Sequence, residues 1–198
     1  ISRDSKLGNS TKVTYFSMGK DTSISQESYD RMTMYIGASG WGEFIIGEEP
    51  EIIKLQPDEL LIVPAGTLCG MQTSNGIVYT EIICTGKDIN MNANVKTNEV
   101  FALKNLISYE EGSIANMDVV STPDMKYVLM AFDEGTGLTP HRAPGNAIVF
   151  ALEGKATIGY EGKDYELSEG ECFRFEKNGL HSVTANGKFK MALLLVLE

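Results

Sequence analysis

The sequence predicts an all-β protein in which one unit of about ninety residues occurs twice. Three observations carry this prediction. Short segments rich in β-branched and aromatic residues are bounded by glycine or aspartate turns, and they recur about every eight to ten residues. The two halves align with each other along most of their length. No window of about 12 residues shows a clean helical period, so alternating strands and helices are excluded.

The clearest strand candidates lie in the second half of the chain. Tyr160-Glu161-Gly162-Lys163 predicts a hairpin, because glycine supplies the positive φ that such turns require. Asn186-Gly187 predicts a second turn before the last strand. Only residues 98–109 could hold one or two helical turns. The expected strands are 126–132, 147–152, 155–160, 163–167, 171–175, 181–185 and 189–197.

The internal repeat keeps a nearly constant register. Residues 12–46 align with 126–160 at an offset of 114, and residues 77–84 align with 189–196 at an offset of 112. One length difference of two residues near 47–50 reconciles the offsets, at a place where a hairpin turn tolerates it. Identity between the halves is low, so a chance alignment of two β-rich segments is the competing explanation.

The repeat predicts a division into domains. A first unit spans residues 1–85, a linker spans 86–98, and a second unit spans 99–198. The linker is polar and rich in asparagine, as expected of a connection.

Composition and charge narrow the classes of partner. The net charge of −10 disfavours nucleic acid and anionic membrane surfaces, and no apolar stretch approaches the 18 residues of a membrane span. The sequence starts at Ile1 without a signal-peptide pattern, although a removed signal peptide stays an alternative. Three widely spaced cysteines, Cys69, Cys84 and Cys172, predict buried free thiols. We therefore expect a cytoplasmic protein.

Two motifs in the second half resemble those of the cupin superfamily. The first runs from Gly135 through His141 to Gly154, and the second runs from Gly170 through Gly179 to His181. The resemblance implies two tandem RmlC-like jelly-roll barrels, a bicupin. It also implies that the two histidines occupy metal-ligand positions of one barrel.

The motifs are degenerate at the remaining ligand positions. Ala143 stands where the first motif has its second histidine, and Ala147 stands where it has a glutamate. The same register in the first half places ligand-position equivalents at Glu27, Tyr29, Thr33 and Cys69, with no histidine among them. The first barrel is therefore expected to be structural, with Glu27 and Tyr29 in a solvated loop or at the barrel mouth.

Three interpretations of His141 and His181 stay open. They could bind a divalent transition metal, namely Zn, Ni, Fe or Cu, because imidazole suits these ions. They could instead hydrogen bond to a small organic ligand, with Ala143 and Ala147 leaving room for it. They could also be structural remnants. The leading hypothesis is a small-molecule binder, and the alternative is a metal-dependent cupin enzyme of the dioxygenase or isomerase type. A homodimer is the expected assembly.

Overall fold

The structure is a computed structural model that describes residues 1–8, 11–86 and 88–197. The all-β prediction is confirmed, because the helical content of this part of the chain is one 3-10 turn at Leu103–Asn105, inside the segment expected to hold it. The strands of the first part are β1 Ser2–Asp4, β2 Lys12–Met18, β3 Thr22–Ser28, β4 Thr33–Gly40, β5 Gly42–Ile46, β6 Glu51–Leu55, β7 Glu59–Val63, β8 Leu68–Thr73 and β9 Ile77–Ile83. Those that follow are β10 Asn90–Met91, β11 Val100–Ala102, β12 Ile114–Ser121, β13 Met125–Phe132, β14 Gly137–Arg142, β15 Asn146–Tyr160, β16 Lys163–Ser168, β17 Cys172–Phe175 and β18 Leu180–Val196.

The chain forms two compact units. The first combines Ile1–Thr85 with Ala93–Ala102, and the second combines Gly86–Asn92 with Leu103–Glu198. The segment expected to be a linker is therefore shared between the units. Its β10 strand pairs with β12 of the second unit, whereas its part from Ala93 onward, which includes the buried Val95, belongs to the first unit. The first unit also includes β11, just after the expected linker, which pairs with β7. Lys87 of that segment lies outside the described residues.

The first unit contains two antiparallel sheets. One has the strand order β1-β2-β9-β4-β7-β11, and the other has the order β3-β8-β5-β6. Alternating side chains of both sheets form an apolar cluster whose largest members are aromatic, as the period-2 pattern of strands requires. The cluster includes Tyr35, Phe44, Leu55, Leu61, Met71 and Tyr79.

The second unit contains one sheet with the main order β10-β12-β13-β18-β15-β16, and β14 and β17 pair with β18 and β15. Its core includes Phe132, Val149, Ile158, Phe175, Val183 and Phe189. The Glu161-Gly162 hairpin is confirmed, with φ of 49° and 79°.

Four expected strands of the second unit merge into two long ones. Residues 147–160 fall in β15 and residues 181–196 fall in β18, so the turn expected at Asn186-Gly187 is wrong. The pairing of β15 with β18 shifts register twice, around Glu153 and before Ala156. Bulges bend a strand without ending it. Glycine is suited both to such bends and to turns, so Gly154 and Gly187 were interpreted from the sequence as turn residues.

None of the described residues forms a helix that is both long and apolar enough to cross a bilayer.

Candidate functional site

The two histidines of the chain lie directly opposite each other on paired strands. His141 of β14 is the Cα partner of His181 of β18. Their ring centroids are 4.2 Å apart, with an angle of 53° between the ring planes. Opposite residues of an antiparallel pair project to the same side of the sheet, so the two imidazoles form one site even though forty residues separate them in sequence.

His181 lies on the inward face of its strand. Val183 and Ala185, two and four residues further along β18, belong to the apolar core. The His181 ring stacks on Phe175, with centroids 4.3 Å apart and planes inclined by 29°. His181 is 7% exposed, whereas His141 is exposed. The pair therefore runs from the core to the surface of the unit.

Both rings are oriented by the same kind of local hydrogen bond. The Nδ1 atom of His141 lies 2.8 Å from the Thr139 carbonyl oxygen, and that of His181 lies 3.0 Å from the Gly179 carbonyl oxygen. A carbonyl only accepts, so Nδ1 must carry the proton in each neutral ring. The Nε2 atom then keeps its lone pair, which is the arrangement that suits an acceptor or a metal ligand.

Burial favours the neutral form of His181. Desolvation lowers the pKa of this ring, the hydrogen bond to Gly179 raises it in part, and the charge of His141 lowers it further. The net shift is below the ordinary value of 6.5. His181 thus offers a neutral acceptor at pH 7.

A cavity of about 180 Å³ lies beside His181. Its wall mixes apolar and charged groups, which include Pro140, Tyr160, Leu180, Lys163 and Asp164. Such a mixture is common in small-molecule sites, where apolar walls supply contact and a few polar groups supply orientation.

The two alanines expected to leave room are both buried. Ala143 is 8% exposed and Ala147 is 1% exposed. Ala147 is the Cα partner of Phe175 on β17 and packs in the apolar core. Neither alanine belongs to the wall of the cavity beside His181, and their role in ligand binding stays a prediction.

The donor set for a metal is small. Residues 1–8, 11–86 and 88–197 contain no group of three or more His, Cys, Asp or Glu side chains placed to hold an ion. Catalytic zinc sites usually keep three protein ligands. Two imidazoles alone fall short of that number.

Arginines near the pair are engaged by the protein. Arg142 donates to the Asn178 carbonyl oxygen and lies 3.7 Å from a Glu161 carboxylate oxygen. Arg174 lies outward on β17 and pairs with Glu176 at 2.9 Å. Phe173 and Phe175 lie on the inward face of β17. The alternation in the sequence did not show which of the two faces is inward.

All three cysteines are free thiols, as predicted, but the expected burial holds only for Cys84. Cys84 is buried, Cys69 is half-buried and Cys172 is exposed. Cys172 shares the outward face of β17 with Arg174, because side chains alternate along a strand.

The first unit repeats the histidine geometry with other residues. Glu27 of β3 is the Cα partner of Cys69 of β8, and offsets of 114 and 112 relate these two residues to His141 and His181. Glu27 lies on a strand and Tyr29 directly follows it, so the solvated-loop interpretation is wrong for Glu27. Both residues line a cavity that also contains Tyr35, Tyr79 and Glu81. The sequence did not identify these three as site residues, because they lie in segments of mainly apolar residues that predicted only core strands.

Comparison with known proteins identifies the fold. Residues 128–197 match the cupin domain family. A cupin 2 conserved barrel domain protein from Leptotrichia buccalis is 26% identical, with a TM-score of 0.86 over 99% of this chain and 88% of that one. Salicylate 1,2-dioxygenase from Pseudaminobacter salicylatoxidans is 10% identical, with a TM-score of 0.70 over 94% of this chain and 71% of that one. A cupin superfamily protein from Desulfitobacterium hafniense is 19% identical, with a TM-score of 0.51 over 53% of this chain and 96% of that one.

No curated protein matches. The all-β cupin jelly-roll fold is thereby confirmed, and the findings support the cupin superfamily.

Proposed function

We propose that this cupin-fold protein binds a small organic molecule at the His141–His181 pair of its second unit. The observation that carries the proposal is the common orientation of the two rings. Each Nδ1 is committed to a backbone carbonyl, and each Nε2 is left to interact with something else. Two adjacent acceptors suit a ligand that carries a hydroxyl or an acid proton.

The surroundings support a ligand with an apolar body. Tyr160 is the Cα partner of His181 and lines the neighbouring cavity. Phe175 stacks on the buried ring. An aromatic or short aliphatic ligand with one polar end would match this distribution.

The binding proposal is tested with phenols and small carboxylic acids, using the rise in melting temperature as the readout. A binding compound should lose most of its stabilising effect in His181→Gln. It should keep that effect in Thr184→Ala, which changes an exposed side chain of the same strand. A compound that stabilises the wild type and His181→Gln equally would show that it binds elsewhere. The absence of any stabilising compound, together with unchanged Nε2 resonances of both rings, would argue for structural histidines.

The second candidate is a metal-dependent enzyme of the dioxygenase or isomerase type. The two Nε2 atoms, which remain available as ligands, favour this candidate. The lack of a third protein ligand among the described residues argues against it. Metal analysis of protein purified without a histidine tag separates the candidates. Stoichiometric Zn, Ni, Fe or Cu that is lost in His141→Ala would favour the enzyme, and protein without metal would favour direct binding.

We further propose that both units are cupin barrels, which makes the chain a bicupin. Gly40 and Gly154, 114 positions apart, support this. Their φ values are 66° and 77°. A Cβ on either glycine would lie 2.1 Å from a backbone carbonyl oxygen, that of Gly76 or of Lys188, and these two positions are 112 apart. The paired residues Glu27–Cys69 and His141–His181 support the same equivalence. A homodimer and a cytoplasmic location stay predictions, and sedimentation analysis tests the first.

A further inference from the structure

The first unit, which was expected to have only a structural role, contains a cavity lined by aromatic side chains. Its volume is about 50 Å³, which is space for roughly three or four water-sized groups. Five aromatic side chains line it, namely Phe16, Tyr29, Tyr35, Phe44 and Tyr79. Tyr35, Phe44 and Tyr79 are each less than 5% exposed.

The rings pack against one another around this space. Phe16 and Tyr79 are stacked with centroids 4.9 Å apart, and Tyr35 and Phe44 are tilted with centroids 4.7 Å apart. The edge-to-face contact of Phe44 with Tyr79, at 5.9 Å, links the two pairs. The wall is therefore held in place by its own contacts before any ligand enters.

Two carboxyl groups also line the cavity. Glu81 of β9 is 5% exposed, and Glu27 lies at the exposed end. An interaction with the Tyr29 side chain favours the charged form of Glu81. Among the described residues, no lysine or arginine lines the cavity, and Lys12 acts on Glu81 only from an exposed position on β2. The site thus combines aromatic walls with negative charge that has no cationic partner inside it.

Burial makes the charge on Glu81 energetically costly. Desolvation raises the pKa of its carboxyl group, and Lys12 and the Tyr29 hydroxyl offset part of that shift. A cation placed in the cavity would supply the missing counter-charge. Aromatic faces attract the same cation, and cages of aromatic rings are a common means of recognising quaternary ammonium groups.

We propose that the first unit binds a small organic cation, with an alkylated ammonium head among the aromatic rings and against Glu81. The cavity volume limits the buried head to a few heavy atoms, as in a trimethylammonium group. The remainder of the ligand would extend toward Ser25 and Glu27 at the exposed end. This site is separate from the histidine pair, so either proposal can fail without the other.

The test uses choline chloride as the probe on the full chain at pH 8, with 3,3-dimethyl-1-butanol as its uncharged analogue of the same shape. Calorimetric titration at matched ionic strength should detect binding of choline and not of the alcohol. Equal binding of both compounds, or binding of neither, would overturn the proposal.

Two variants locate the site. Glu81→Gln keeps the side-chain size and an acceptor for Tyr29 while removing the charge, and it should weaken choline binding at least tenfold. Glu51→Gln makes the same change of charge on an exposed residue of the same unit, and it should bind as the wild type does. Phe16→Leu, which removes one ring from the half-buried part of the wall, should weaken binding severalfold and serves if Glu81→Gln is poorly folded. Unchanged affinity in a folded Glu81→Gln or Phe16→Leu protein would place choline elsewhere and overturn the proposal.

Discussion

His141 and His181 are cross-strand partners whose ring centroids lie 4.2 Å apart, one ring exposed and the other buried against Phe175. A protonated His141 disfavours a second positive charge on its neighbour, and burial acts in the same direction. The His141 ring is accessible to solvent, whereas burial favours the neutral form of the His181 ring. This coupling makes the site sensitive to pH in a way that can be measured.

The stability of the protein should decrease as the pH falls below about 6.5, the pKa of histidine in an unfolded chain. The folded-state pKa of His181 is lowered, so between the two pKa values the unfolded state binds more protons. The free energy of unfolding then rises with pH across this window. Urea unfolding of wild type and His181→Gln from pH 7.5 to 5 measures the difference. An identical pH dependence in the two proteins would contradict the lowered pKa.

Gly154→Ala should be much more destabilising than Gly162→Ala. Both glycines have positive φ, 77° and 79°, so each alanine carries a left-handed penalty of about 1–2 kcal/mol. Only at Gly154 would the new Cβ lie 2.1 Å from a backbone carbonyl oxygen, because the space around Gly162 is open. We expect a total loss of about 3 kcal/mol or more at Gly154 once the steric overlap is added.

Chemical denaturation of the two alanine variants isolates the steric component, since the left-handed penalty is common to both. Gly40→Ala should resemble Gly154→Ala if the two units are equivalent. Similar losses for Gly154→Ala and Gly162→Ala would mean that β15 and β18 move apart easily at this point.

Lys190→Ala should be more destabilising than Lys188→Ala, although both ammonium groups lie over the Tyr109 ring, at 4.7 and 5.1 Å. Lys190 is buried and donates a hydrogen bond of 2.7 Å to the Lys104 carbonyl oxygen. Its removal leaves that acceptor without a charged donor, at a cost of about 1.5–3 kcal/mol. Lys188 is exposed and lies 4.0 Å from Asp133, a surface pair worth about 0–1 kcal/mol. Thermal unfolding of both variants tests the order, which an equal loss would refute.

The exposed thiol should react first with a disulfide reagent in the folded protein. Burial raises the pKa of Cys84 to about 12 and that of Cys69 to about 11. Partial desolvation and the nearby charge of Glu171 raise the pKa of the exposed Cys172 as well. All three thiols are therefore weak nucleophiles at pH 8, and access decides their order. A rapid phase that disappears in Cys172→Ser is expected, with Cys84 reacting only after denaturation. Retention of that phase in Cys172→Ser would assign it to Cys69.

Much of the architecture follows from local pattern. The spacing of β-branched and aromatic segments predicted the all-β fold, and the offsets of 114 and 112 placed Glu27 and Cys69 at the positions equivalent to His141 and His181. Register can be read this far because a shift of one residue along a strand moves every side chain to the other face. Strand ends were less predictable. Gly154 and Gly187 permit either a turn or a bend, and only the neighbouring strand decides between them.

By itself, the sequence determined the class of fold, and its resemblance to the cupin motifs implied that His141 and His181 meet. Strand alternation and the repeat depend on spacing along the chain, and spacing is fully contained in the sequence. Tertiary structure decided which face of each strand points inward and which distant strands supply the walls of a cavity. It buried Ala147 against Phe175, exposed Cys172, and brought Tyr35, Tyr79 and Glu81 around one space in the first unit. These outcomes depend on how sheets close on themselves, and closure depends on pairings between residues that lie far apart in sequence.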